Sequence, residues 1–224
     1  MAIEQQIRGA GGMVAGALTP GAVNHQASYI TSSEILQWVK EGRVFNGIDG
    51  VLTTPATFTN TALVRQQPDL MVRVPAGVVI IPIFAQIVYE ATGGTLLEAL
   101  VSVCDNDPGT SNVSAVTPTN VNTRFAGNAS RCTVYKAATG ATGTAPTNVS
   151  DLFRAAHAVD FDAGASNLQE QIVYSPFAGR GMMAIVGSAS TLHAFLVYAA
   201  CGTSSTGFVL ASWAEFTYAE FYGS

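Results

Sequence analysis

The chain has 224 residues, room for one large β domain with a core of its own. Charged residues make up only 11% against 48% hydrophobic, where soluble domains carry roughly 25% charge. Such a surface must be built from Ser, Thr, Asn, Gly and apolar side chains, which are best hidden against other subunits. The 15 acidic and 10 basic residues give a net charge of −5 and lie scattered, which excludes the clustered basic face that nucleic acid requires.

Residues 1–30 are rich in Gly and Ala and keep no period, so they read as an extended N-terminal arm. The small-residue stretch from Met13 to Leu18 follows Glu4 and is broken by Gly16, which argues against a secretory signal. Thr31-Ser-Ser-Glu34 has capping-box spacing, Ile35, Leu36 and Val39 follow on one helical face, and Gly42 is a stop. This predicts a short helix over about 32–41. Arm and helix make a first region, 1–50, ahead of a β-sandwich domain, 51–224.

From Val51 the period changes to two. The clearest strand is 78–91, where Val79, Ile81, Ile83, Ala85, Ile87, Tyr89 and Ala91 form one apolar face expected to be buried throughout. Pro82 cannot donate to a ladder, so it requires an edge position or a bulge. Gly93-Gly94 reads as a turn into a strand at 96–105, although Thr95 and Glu98 would also make a capping box for a helix there. Polar loops are expected from Asp105 to about Asn128 and over 138–147. Further strands are expected at 131–137, 170–175, 182–187, 191–201 and 207–219. A second short helix is expected over 148–158, with Asp151 near its start and Arg154 and His157 near its end. The uncharged stretch 181–214 is long enough to span a membrane, but Gly187, Ser188, Ser190, His193 and the run Gly202-Thr-Ser-Ser-Thr-Gly207 break it into strand-length pieces.

Chemistry-bearing patterns are weak. Gly187-Ser-Ala-Ser190 and the Gly202–Gly207 run are turn sequences and do not form a Gly-x-Ser-x-Gly elbow. On a regular last strand Glu215 and Glu220, five apart, face opposite ways and do not form a glycosidase pair. Asp160, Asp162 and Gly164 open like a calcium loop, which fails at Leu168 and Gln171. His25, His157 and His193 share no ligand spacing, and Gly179-Arg-Gly181 lacks the context of a phosphate loop. Asn112, Asn128 and Asn148 each open an Asn-x-Ser triplet and mark polar loops. Cys104, Cys132 and Cys201 are odd in number and widely spaced, so buried thiols are expected in place of disulfides or zinc. No cofactor or metal is expected, and no enzymatic activity.

The segment Val72-Arg-Val-Pro-Ala-Gly-Val-Val-Ile-Ile-Pro-Ile-Phe-Ala-Gln-Ile-Val-Tyr-Glu-Ala-Thr-Gly-Gly-Thr95, together with Gly207-Phe-Val-Leu-Ala-Ser-Trp-Ala-Glu-Phe216, resembles the virion proteins of tailed bacteriophages that carry a jelly-roll domain. The first resembles their long strand entered through a Val-Pro-Ala-Gly turn, the second their closing aromatic strand. The resemblance extends loosely over residues 50–220. It implies an all-β, jelly-roll-like antiparallel sandwich acting as a capsid decoration or cement protein, a homotrimer that grips a major capsid protein. Such a protein is assembled in the host cytoplasm and resides in the virion, with no membrane or nucleic acid as partner. Composition selects the interface candidates Trp38, Trp213, Phe216, Tyr218, Phe221 and Tyr222, because aromatics dominate buried contacts. The alternative is a receptor- or glycan-binding head using the Asn/Thr-rich loops at 106–128, whose sole aromatic is Phe125. A hydrolase comes third.

Overall fold

The computed structural model describes residues 34–223 except 52, 59, 61, 93–95, 112, 138–142, 159–169, 177–181 and 203–204. The arm, the Gly93-Gly94 turn, the calcium-like Asp160 to Leu168 segment, Gly179-Arg-Gly181 and His25 lie outside these residues. Two compact units meet in sequence at residue 38: Met1–Trp38 and Val39–Ser224. The helix expected over 32–41 is present as α1 (Glu34–Lys40), with Glu34 in its first turn and Lys40 in its last, the order that the helix dipole favours.

The second unit is an antiparallel β-sandwich. Its first sheet contains β1 (Val44–Asp49), β2 (Ala56–Phe58), β4 (Val78–Thr92), β7 (Thr119–Asn120), β10 (Glu170–Tyr174), β11 (Ile185–Val186) and β13 (Ser205–Thr217), with the main order β10-β4-β13-β1-β7. The second runs β6-β8-β3-β12-β5-β9, where β3 is Leu70–Arg73, β5 Leu96–Cys104, β6 Val113–Val116, β8 Thr133–Ala137, β9 Ser150–Ala158 and β12 Ala194–Cys201. Because β1 lies inside the first sheet, the sandwich begins before the boundary expected at residue 51. The excursion at 105–128, expected as loop, contains β6, β7 and a 3-10 turn at Thr123–Phe125.

β4 and β13 form the axis of the first sheet. Their register slips twice, between Ser212 and Trp213 and between Thr206 and Gly207, leaving Ile83 and Glu90 as extra residues on β4. Each slip reverses which side chains face inward. The inter-sheet core therefore takes Val78 and Ile80 before Ile83, and Ala85, Ile87 and Tyr89 after it, so the odd-numbered face expected from the sequence is divided: Val79 and Ile81 are buried too, but outside that core. Pro82 lies beside the first bulge. On its other side β11 stops opposite Ile80 and β10 opposite Ala85, so the position lacking an N–H falls in a gap between them.

The expected helix at 148–158 is a strand, β9, paired antiparallel with β5. Leu152 turns into the core, and the charges that suggested a helix dipole serve cross-element pairs instead. Arg65 holds Asp151 through two 2.8 Å bonds, and Arg154 reaches Glu98 at 3.4 Å.

Between the sheets lie Phe58, Leu70, Ile80, Ile87, Tyr89, Phe195 and Trp213, all essentially inaccessible. Tyr89, on β4, crosses this layer; its hydroxyl donates to the Glu98 carbonyl at 2.6 Å and accepts from the Ala200 N–H at 3.2 Å. A second apolar cluster of Met71, Leu100, Leu196 and Tyr198 occupies the outer face of the second sheet beneath Leu63. The Tyr198 hydroxyl fastens that crossing segment by donating to the Arg65 carbonyl at 3.0 Å. Burial on both faces explains the uninterrupted apolar run of β12, which in sequence imitated a membrane span. Among the described residues no helix is long and apolar enough to cross a membrane. Cys104, Cys132 and Cys201 are buried free thiols.

Gly207 sits at the second slip, where a Cβ would lie 1.9 Å from the Val88 carbonyl oxygen. Gly207→Ala is expected to cost about 2 kcal/mol or more of stability, since rigid backbone must move to relieve the overlap. Gly202, with nothing within 4 Å of its Cβ position, is the control; Gly202→Ala is expected to shift stability by less than about 0.5 kcal/mol. Urea unfolding of the two variants decides, and equal midpoints would sink the account of the bulge.

Candidate assembly surface

Four of the six aromatic interface candidates come together where β13 ends. The strand stops at Thr217, whose side chain accepts from the Glu220 N–H at 3.1 Å while the Glu220 carboxylate accepts from the Thr217 N–H at 2.7 Å. This capping box starts α2 (Tyr218–Tyr222), which Gly223 closes in the left-handed region at φ 69°. The strand expected to run to residue 219 thus gives way to a helical turn. Phe216 packs on Phe221 with ring centroids 5.6 Å apart, Phe221 on Tyr222 at 5.0 Å, and Tyr222 on Tyr218 at 4.7 Å. The inner rings are half-buried, whereas Tyr218 and Tyr222 remain 49% and 53% exposed.

Arg43 closes the inner end of this row. Its guanidinium lies 5.1 Å from the Phe216 ring centre and pairs with Glu41 at 2.6 Å and Glu220 at 3.2 Å. Hydrogen bonding from Arg43, helped by the Thr217 N–H and hydroxyl, holds the Glu220 carboxyl down at about 2.

The remaining candidates are placed elsewhere. Trp213 is fully enclosed in the core, stacked on Phe45 at 6.5 Å, so it fills the domain and offers no surface to a partner. Trp38, on α1, is 9% exposed.

Glu215, two residues beyond Trp213 and on the same face, is a buried carboxylate with three donors. It accepts from the Trp213 Nε1–H at 2.8 Å, from the Arg131 N–H at 2.9 Å and from the Ser130 hydroxyl. Glu215 and Glu220 do not share one strand, as the sequence suggested; both line a cleft of about 500 Å³ with Glu41, Arg43, Phe45 and Arg131. Their chemistry does not make a hydrolytic pair. Glu220 is held ionised by Arg43, whereas a general acid needs a raised pKa, and the donors around Glu215 fix it as a structural acceptor.

Thr191 Oγ1 lies 2.9 Å from His193 Nε2, a hydroxyl–imidazole contact. The neighbouring Asp105 carboxylate is taken up by Thr147 and Asn148. Among the described residues no group of three or more His, Cys, Asp or Glu side chains could hold a metal ion. The signal that would have found α2 was present in sequence as Thr217-x-x-Glu220, a capping box hidden by the aromatic alternation on either side.

The fold defines the chain as an antiparallel β-sandwich protein. It matches no protein-family model, no curated protein and no solved structure.

Asp69, just before β3, is 4% exposed and substitutes for a ladder rung by accepting the Ala199 N–H at 2.6 Å. Burial raises its carboxyl from the ordinary 3.8 to about 7. A raised acid binds its proton more tightly in the folded state. Its stabilising contribution is therefore complete below about pH 4 and is lost as pH rises toward 7, by about 4 kcal/mol in total. Urea unfolding at pH 5 and pH 8 should show wild type losing stability across this window and Asp69→Asn losing much less. Equal losses would overturn this role for Asp69.

Proposed function

We propose that the chain is a non-enzymatic structural subunit of a virion, of the capsid decoration or cement type, built on a jelly roll. The observation that carries the reading is the row of four rings ending in two half-exposed tyrosines, on a chain with only 11% charged residues. Paired aromatics at a surface supply large contact area at little entropic cost and mark docking sites. The partners are further copies of the chain, as a homotrimer, and a major capsid protein.

Strand pairing supports the jelly-roll part. Taken in chain order, the eight principal strands β1, β3, β4, β5, β9, β10, β12 and β13 pair first with last, second with seventh, third with sixth and fourth with fifth. That is one long hairpin, and rolling it up brings β13 beside β4 and β12 beside β5. Two sheets of four, β1-β13-β4-β10 and β3-β12-β5-β9, result, an architecture that capsid proteins and lectins use. The lectin-like alternative is less favoured. Phe125, the aromatic of the 106–128 segment, lies against Gly42, where a Cβ would come within 2.6 Å of its ring.

Light scattering and co-sedimentation with capsids from the source virus test the proposal. Wild type is expected to self-associate and to pellet with particles. The Tyr218→Ser, Tyr222→Ser double variant should lose both by about ten-fold or more while its thermal midpoint stays within a few degrees of wild type. A chain that stays monomeric at high concentration and never pellets with particles would refute the assignment.

A further inference from the structure

The second sheet ends at β6, which has β8 on one side and, among the described residues, no strand on the other. Exposed sheet edges invite pairing, and natural sheets guard them with charge, proline, bulges or brevity. Two of the other three ends of the strand paths are guarded in this way: β9 carries Asp151, Arg154 and His157 and a bulge against β5, and β7 is two polar residues long. β6, Val113-Ser-Ala-Val116, is short at four residues but has no charge, no proline and no register slip.

A groove of about 610 Å³ runs along Ser114, Ala115 and Val116. Its far wall is the turn at 50–55, and there Val51 is held 62% exposed by mutual backbone bonds with Thr54 of 3.0 and 2.7 Å. Gly50 fixes this wall at φ +90°, with Phe208 only 2.8 Å from where a Cβ would sit. Ile48 adds a second apolar side chain, 46% exposed. The two charged residues of the groove, Asp49 and Lys136, neutralise each other at 2.8 Å.

We infer that β6 is a homotypic docking edge: β6 of a second copy enters the groove and pairs antiparallel, about a two-fold axis through Ala115. The occupant follows from charge. Two copies of a chain with net charge −5 repel, so they meet where the surface is locally neutral, and this edge is neutral by composition and by its internal ion pair. The β6 residues that line the groove, 114–116, are centred on Ala115, and its small side chain lets identical strands abut there, with Ser114 opposite Val116 of the second copy. The inference rests on the self-assembling subunit proposed above but uses a different surface from α2 and, being two-fold, joins a copy in one trimer to a copy in another.

Sedimentation velocity of the full chain over a concentration series is the test. Ala115→Lys is expected to weaken pairing by about ten-fold or more, because it sets like charges directly opposite, and mixing it with Ala115→Glu should restore association. Ala115→Cys should form an inter-copy disulfide under mild oxidation much faster than Ala156→Cys on β9, and should still do so in the Tyr218→Ser, Tyr222→Ser background. Survival there separates this contact from the α2 surface, so either can fail alone. Circular dichroism identifies any variant that does not fold, and the cysteine measurement then decides. Unchanged sedimentation of folded Ala115→Lys, or equal cross-linking at positions 115 and 156, would overturn the inference. So would a chain that stays monomeric while β6 binds an unrelated uncharged peptide.

Discussion

The pairing of β4 with β13 is the constraint on which the rest of the molecule depends. Both bulges are on β4, so β13 keeps one unbroken parity along its length and sends Val209, Ala211, Trp213 and Glu215 inward. That parity turns Phe216 away from the core, within reach of Arg43, and delivers the chain to Thr217 facing the correct way to cap α2. One added or deleted residue in β13 would exchange Trp213 for Ser212 or Ala214 in the core and dismantle the aromatic row at the same time.

The two sheets are tied together at few points. The Tyr89 phenol reaches from the first sheet to both β5 and β12, and burial raises its pKa, against the Ala200 N–H, whose hydrogen bond lowers it. The scarce charges follow the same economy. Arg43, Arg65, Arg73, Lys136 and Arg154 each pair with a carboxylate at least 34 positions away in sequence. Exposed pairs such as Arg43–Glu220 and Arg65–Asp151 contribute at most about 1 kcal/mol each. The greater effect of the scarce charges is on where connecting segments lie: Arg73 and Asp107 pin the loop after β5, and Lys136 and Asp49 link a strand of one sheet to a strand of the other.

Much of this was legible in the residues themselves. Alternation located β4, β5, β8, β10 and β13, because each buries at least one face along its length; β12 showed as an apolar run of strand length, and Pro82 announced an irregularity in β4. The reversal of parity at Ile83 was not legible, because it depends on a partner strand more than a hundred residues away. Asp151, Arg154 and His157 satisfy a helix-dipole pattern and a cross-strand pattern equally well, and only the neighbouring β5 decides between them. β6 and β7 escaped detection because short strands on a half-covered edge need no alternation. The surroundings of Glu215 could not be read at all, since Ser130 and Arg131 arrive from a turn 84 or more positions distant.

The strands that flank the central pair come in pieces. β1 and β2 lie end to end along β13, and β11 and β10 lie end to end along β4, each pair separated by intervening chain. Register is kept by the unbroken neighbour, so the length of an excursion is decoupled from the alignment of what it joins. Lengthening such a connection adds only a closure entropy that grows with the logarithm of its size. The seam at 50–55 is therefore a natural port for grafting foreign peptides: an insert there would leave the strand registers intact while obstructing the groove beside β6, whose far wall it forms.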